Sequence, residues 1–219
     1  MSPRWVSEAF SYTNDEHHAF VREALETIDG FHEDGVLDRY DIRLEAIYSA
    51  GGRELEGLID PDTRIITINP NGASKRFTLL HEIGHVLDFS LGIWTSIFAG
   101  DRPELDEWVD AVQESKLIRE YQKQAADADG AALHTLKLLL EPPEVWARSY
   151  AQYIASRCLD GSPLRSELDA GFSIDPKTHF AEQWEPVDFQ SIDVALHSAF
   201  SYWRGYDDCT FAKATFPCR

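Results

Sequence analysis

The sequence predicts an α+β chain, a small antiparallel sheet followed by a mostly helical remainder. Three observations carry that expectation. Ile42, Leu44, Ala46 and Tyr48 alternate with Arg43 and Glu45, the period of a half-buried strand. Leu55 to Ile59 and Arg64 to Ile68 flank Asp60-Pro61-Asp62-Thr63, a turn sequence between two further strands. From Ser74 onward the apolar residues recur at helical spacing.

Taken in order, Asn14-Asp15-Glu16 reads as a capped helix start, with Phe20, Val21, Ala24, Leu25 and Ile28 on one face and Gly30 as its stop. Phe31 to Tyr40 is acidic and reads as loop. Gly51-Gly52 turns the chain between the first two strands, and Pro70-Asn71-Gly72 ends the third. A helix then runs from about Ser74 to Phe89. Ser90 to Gly100 is apolar and irregular, suited to a buried connection or to lining a cleft. Pro103 opens a long amphipathic helix carrying Leu105, Trp108, Val109, Val112, Leu117, Ile118 and Tyr121. Ala125 to Gly130 is a polar break, Leu133 to Leu140 a short helix, and Pro142-Pro143 a stop that begins another helix running to about Arg157. Gly161 to Glu185 reads as loop. Pro186 opens a last helix with Phe189, Ile192, Leu196, Ala199 and Phe200 on one face. These features predict one domain over residues 1–219, with a sheet and motif helix over about 41–90 and a helical part over about 101–205.

Composition narrows the function classes. Hydrophobic residues make up 43% of the 219 and aromatics 12%, which supplies a core and argues against disorder. A formal net charge of −18 repels nucleic acid and anionic membranes, so neither is expected as a partner. The start of the chain shows no apolar signal region and no run is long enough to span a bilayer, so a cytoplasmic location is expected. Cys158, Cys209 and Cys218 do not form a disulfide framework and are expected as free thiols, although the last two could pair.

The chemistry centres on His81-Glu82-Ile83-Gly84-His85, an H-E-x-x-H pattern inside the helix that follows the sheet. Histidines four apart project from one helix face, so both imidazoles reach one ion. Zinc takes imidazole nitrogen at about 2.0–2.1 Å, and a catalytic site leaves a position for water. Glu82, beside the first histidine, is then placed to take a proton from that water. Thr78-Leu79-Leu80 and Val86-Leu87 are uncharged flanks, as a buried ligand helix requires.

Two imidazoles hold a catalytic zinc poorly, and three protein ligands are expected. A metzincin places Gly three and His six residues after the second histidine. Those positions hold Asp88 and Leu91, which excludes that class. The remaining candidates are Asp88, His134, Glu144, His179 and His197. Asp88 lies one turn beyond His85 on the same face and reads as an outer carboxylate or a helix-packing partner. Glu144 stands in the first turn of the helix after Pro142-Pro143, and Ala147 and Ala151 would let that face approach the motif helix closely. On spacing alone Glu144 is either a ligand or a carboxylate favouring a helix N-terminus.

His81 to Asp88 (HEIGHVLD), followed some sixty residues later by Glu144-Val145-Trp146-Ala147-Arg148-Ser149-Tyr150, resembles gluzincin-type metallopeptidases. It is similar to the catalytic domain of anthrax lethal factor and to the Mlc titration factor peptidases, and closer to phage-associated polyvalent-protein metallopeptidases, whose second helix carries Arg at the position of Arg148. The resemblance covers about residues 64–88 and 142–153. It implies a zincin-like fold, zinc held by His81, His85 and Glu144, Glu82 as general base, and a protein or peptide substrate lying along an edge strand of the sheet. Relatives of the lethal-factor kind carry an oxyanion-stabilising Tyr seven residues before the ligand glutamate, where this chain has Lys137. Lys137, His134 and Arg148 are the alternative donors, and Arg148 is also a candidate ion-pair partner for Asp88. The leading expectation is a zinc metalloendopeptidase. The competing one is a zinc-binding regulatory protein with a dedicated protein target and weak or single-target proteolysis. A purely structural zinc is disfavoured because no Cys lies near the motif.

Overall fold

In the computed structural model the described residues are 15–32, 46–49, 56–60, 62–63, 65–91, 103–173 and 181–205, with side chains at 15–18, 29, 46–49, 89–91 and 202–205 left aside. They form an α+β arrangement dominated by helix. The order is α1 (Asp15–His32), β1 (Ala46–Ser49), β2 (Gly57–Asp60), β3 (Ile65–Ile68), α2 (Lys75–Leu91), α3 (Asp106–Glu114), α4 (Lys116–Asp127), α5 (Gly130–Leu139), α6 (Pro142–Ala155), α7 (Pro163–Gly171) and α8 (Pro186–Gly205).

β2 and β3 form the expected hairpin. Asp60 Oδ1 closes its turn by accepting from the backbone N–H groups of Asp62 (2.9 Å) and Thr63 (3.2 Å). The sheet is mixed, however, and not wholly antiparallel. Its order is β1-β3-β2, and β1 runs parallel to β3, with Ala46 opposite Ile65. Side-chain alternation fixes which face of a strand is buried. It says nothing about direction, so the pattern left the orientation of β1 open. Among the described residues β2 is therefore an edge strand.

α2 is the central element. Ile83, Val86 and Leu87 are buried on it, and it packs against β2, α1, α6 and α7. Its N-terminus is held by a carboxylate from far along the chain. Glu167 on α7 accepts from the N–H groups of Arg76 and Phe77, both at 2.8 Å, and pairs with the Arg76 guanidinium at 3.1 Å. α6 is buried from Val145 to Ala155. Tyr150 and Tyr153 are wholly enclosed.

Three elements depart from the expected boundaries. α1 runs through Gly30 to His32, because Phe31 packs edge-on to Tyr153 and buried His32 meets the Tyr150 hydroxyl at 3.1 Å. That burial outweighs the poor helix propensity of glycine. The single long helix expected after Pro103 is a short 3-10 turn followed by α3 and α4, broken at Ser115. Ser115 is extended there. Its hydroxyl donates to Val112 O (2.8 Å) and accepts the Trp184 indole N–H (3.0 Å), while Asp188 caps the N–H groups of Lys116 and Leu117. Finally, α7 forms where a loop was expected. Ser162 caps it, Pro163 opens it, and Leu164 and Leu168 bury one face. No helix among the described residues is long and apolar enough to cross a membrane.

Candidate metal centre

His81 and His85 stand one turn apart on α2, and Glu144 stands in the first turn of α6. The two helices cross at contact distance, which depends on Gly84. A Cβ there would lie 2.8 Å from Ala147 Cα and 3.2 Å from Ala147 O. Only a glycine facing an alanine permits this approach, and the Trp146 indole donates to Gly84 O at 3.0 Å across the same junction. The small residues at 84 and 147 thus bring Glu144 to the histidines.

The donor atoms converge. The two Nε2 atoms lie 3.1 Å apart, His81 Nε2 is 3.3 Å from Glu144 Oε2, and His85 Nε2 is 3.3 Å from Glu144 Oε1. Ligands about 2.0–2.1 Å from a tetrahedral ion are separated by about 3.3 Å, so the spacing matches one shared cation. One ligand atom from each residue lies within 4.8 Å of the others, and this trio is able to hold a metal ion. His85 is buried, while His81 and Glu144 are half-buried, leaving one side of the cluster open.

Electrostatics follow from this crowding. Burial works against the charge on Glu144, but hydrogen bonds and attraction from His81 and His85 prevail and hold its carboxyl well below the ordinary range. Burial opposes protonation of His85, yet the Glu144 carboxylate outweighs it and the net shift is upward. Glu82 is 6% exposed, and burial pushes its carboxyl up against the pull of His81 and His85. Asp88, wholly enclosed, is pushed to about 7 by burial, with His85 drawing it back.

Glu82 faces the other way, onto β2. A Cβ on Gly57 would lie 2.4 Å from Thr78 Cγ2 and 2.8 Å from Glu82 Oε1. Asn69 N–H donates to Glu56 O at 2.9 Å, so main-chain pairing with β3 falls on residues 56, 58 and 60. The peptide groups of Gly57 and Ile59 therefore face the open edge, and the Ile59 N–H donates to the Glu82 carboxylate. Sequence reasoning missed Gly57. Its role depends on strand pairing, which no local pattern reveals.

Among the described ligand candidates, Asp88, His134 and His197 do not join this group. His134 and Lys137 are exposed on α5, and His197 is exposed on α8 beside the Tyr153 hydroxyl. His179 lies outside the described residues, as do Cys209 and Cys218, whereas Cys158 is a free thiol. Arg148 is not hydrogen-bonded to Asp88. It is buried, donates to Glu182 O (2.8 Å) and Leu139 O (3.0 Å), and packs on the rings of Trp184 and Tyr121. Comparisons with protein-family models, curated proteins and solved structures returned no significant match to the chain.

Proposed function

We propose that this chain is a zinc-dependent metalloendopeptidase. The observation that carries the reading is the convergence of His81 Nε2, His85 Nε2 and the Glu144 carboxylate at the spacing of one tetrahedral ion, with a buried carboxylate, Glu82, beside them. Two imidazoles and one carboxylate form the donor set of a catalytic zinc, with a fourth position open. When bound, the metal would supply Lewis acidity to the scissile carbonyl and to the attacking water.

The chain's own residues account for the rest. Glu82 accepts the proton of the attacking water and returns it to the leaving amine, and burial raises its proton affinity above that of an ordinary carboxylate. The open edge of β2 supports an extended peptide substrate. Gly57 and Ile59 turn their main-chain groups away from β3, and the Ile59 N–H meets Glu82, so a substrate strand added along that edge would lie against the base. The sequence resemblance to gluzincins supports the same assignment of ligands and base.

Metal content and cleavage of an unstructured protein substrate, measured for wild type and Glu82→Gln, test the reading. The expected result is equal zinc content and a rate reduced about 10²–10⁴-fold in the variant. Cleavage at the wild-type rate would remove Glu82 from the chemistry, and a wild type without stoichiometric zinc would remove the metal site.

A further inference from the structure

Asp88 presents a carboxylate with no assigned task. It is wholly buried, and neither of its oxygens has a hydrogen-bond partner among the described residues. Buried carboxylates are ordinarily paired. Among the described residues, neither Arg148 nor Arg76 is hydrogen-bonded to it. Arg148 holds two carbonyls and two aromatic rings, and Arg76, at the far end of α2, pairs with Glu23 and Glu167.

What Asp88 does have is His85, one helical turn earlier on the same face, with which it interacts electrostatically. The His85 ring turns Nε2 toward His81 and Glu144. Its Nδ1 is consequently on the side away from the cluster, and is buried. A metal on Nε2 fixes the proton on Nδ1 and increases the positive charge of that N–H. Such a donor needs an acceptor, and Asp88, one turn further along the same helix, is a buried one.

We propose that Asp88 is a positioning residue for metal capture: its carboxylate accepts the Nδ1–H of His85 once a divalent cation occupies Nε2, fixing the tautomer and orientation of that ligand. This rests on the metal site proposed above. It also gives a wholly buried carboxylate a donor.

The test compares wild type, Asp88→Asn and Asp88→Leu, each as the full chain. Zn²⁺ affinity is measured by competition with a chelating dye, thermal unfolding is followed without metal, and the His85 ring nitrogens are followed by NMR with and without Zn²⁺. Both variants are expected to bind Zn²⁺ about 10–100-fold more weakly, with a metal-free thermal midpoint unchanged or raised. The wild type is expected to show a protected Nδ1–H that appears only with Zn²⁺. Equal affinity in Asp88→Asn overturns the assignment while leaving the metal site standing. A metal-free midpoint lowered in proportion to the lost affinity makes Asp88 a packing residue and also overturns it. A wild type that takes up no Zn²⁺ removes the metal site and this role together.

Discussion

The two faces of α2 solve different problems. Toward α6, Gly84 meets Ala147 backbone to backbone, and the histidines and Glu144 are set by packed helices. Toward β2, Glu82 rests on the main chain of a short edge strand, at a position where Gly57 has no side chain. The first face is helix backbone against helix backbone within a core. The second is a carboxylate against an open strand edge, where a peptide group can replace it. On the proposed function, holding the ion and handling the proton should therefore be separable by mutation, although His81 and Glu82 are adjacent in sequence.

The largest expected effect is at the helix junction. Gly84→Val places atoms inside the Ala147 backbone, and chemical unfolding should show a loss of about 3 kcal/mol or more. Glu144→Ala should leave the fold intact and weaken Zn²⁺ binding at least about 100-fold, equivalent to about 2.7 kcal/mol by titration. If that affinity is unchanged, the third ligand lies elsewhere and the contrast between the faces fails.

Asp88 gives a pH signature confined to the metal-free protein. Its carboxyl is raised by burial from 3.8 to about 7, so between those values the folded chain keeps a proton that the unfolded chain releases. Stability should therefore fall as pH rises through this window, with a slope from this group approaching about 1.4 kcal/mol per unit. Denaturation curves for Asp88→Asn should lack that slope. Gly57→Ala acts on the second face alone. It should lower the cleavage rate about tenfold, about 1.4 kcal/mol in the barrier, at unchanged zinc content. A matching loss of zinc would show that the two faces are coupled. Smallest is Glu167→Ala, which uncaps α2 at the end remote from the histidines. A loss of about 1 kcal/mol in thermal unfolding, with full zinc content, is expected.

The parts of the molecule legible in sequence are those set by local period. The i, i+4 histidines, the proline break ahead of Glu144 and the small residues at 84 and 147 place three side chains on two helices, and the structure brings them together. What was not legible depends on distant partners. The break at Ser115 needs Trp184 and Asp188, some 70 residues away, and the extension of α1 past Gly30 needs Tyr150 and Tyr153. The parallel direction of β1 and the position of Gly57 against Glu82 likewise follow from pairing across the sheet. Arg148 shows the converse. Its place in an apparent motif gave no sign that it also joins α6 to the carbonyls of Leu139 and Glu182.

The indole of Trp146 has a use beyond packing. It is wholly buried, stacked edge-on to Trp108, and donates to the carbonyl of the residue immediately before His85. Its emission is thus an intrinsic optical gauge of the spacing between α2 and α6. A change in Trp146 fluorescence on adding Zn²⁺, read against a Trp146→Phe background, would report ligand closure in real time without a label attached to the protein.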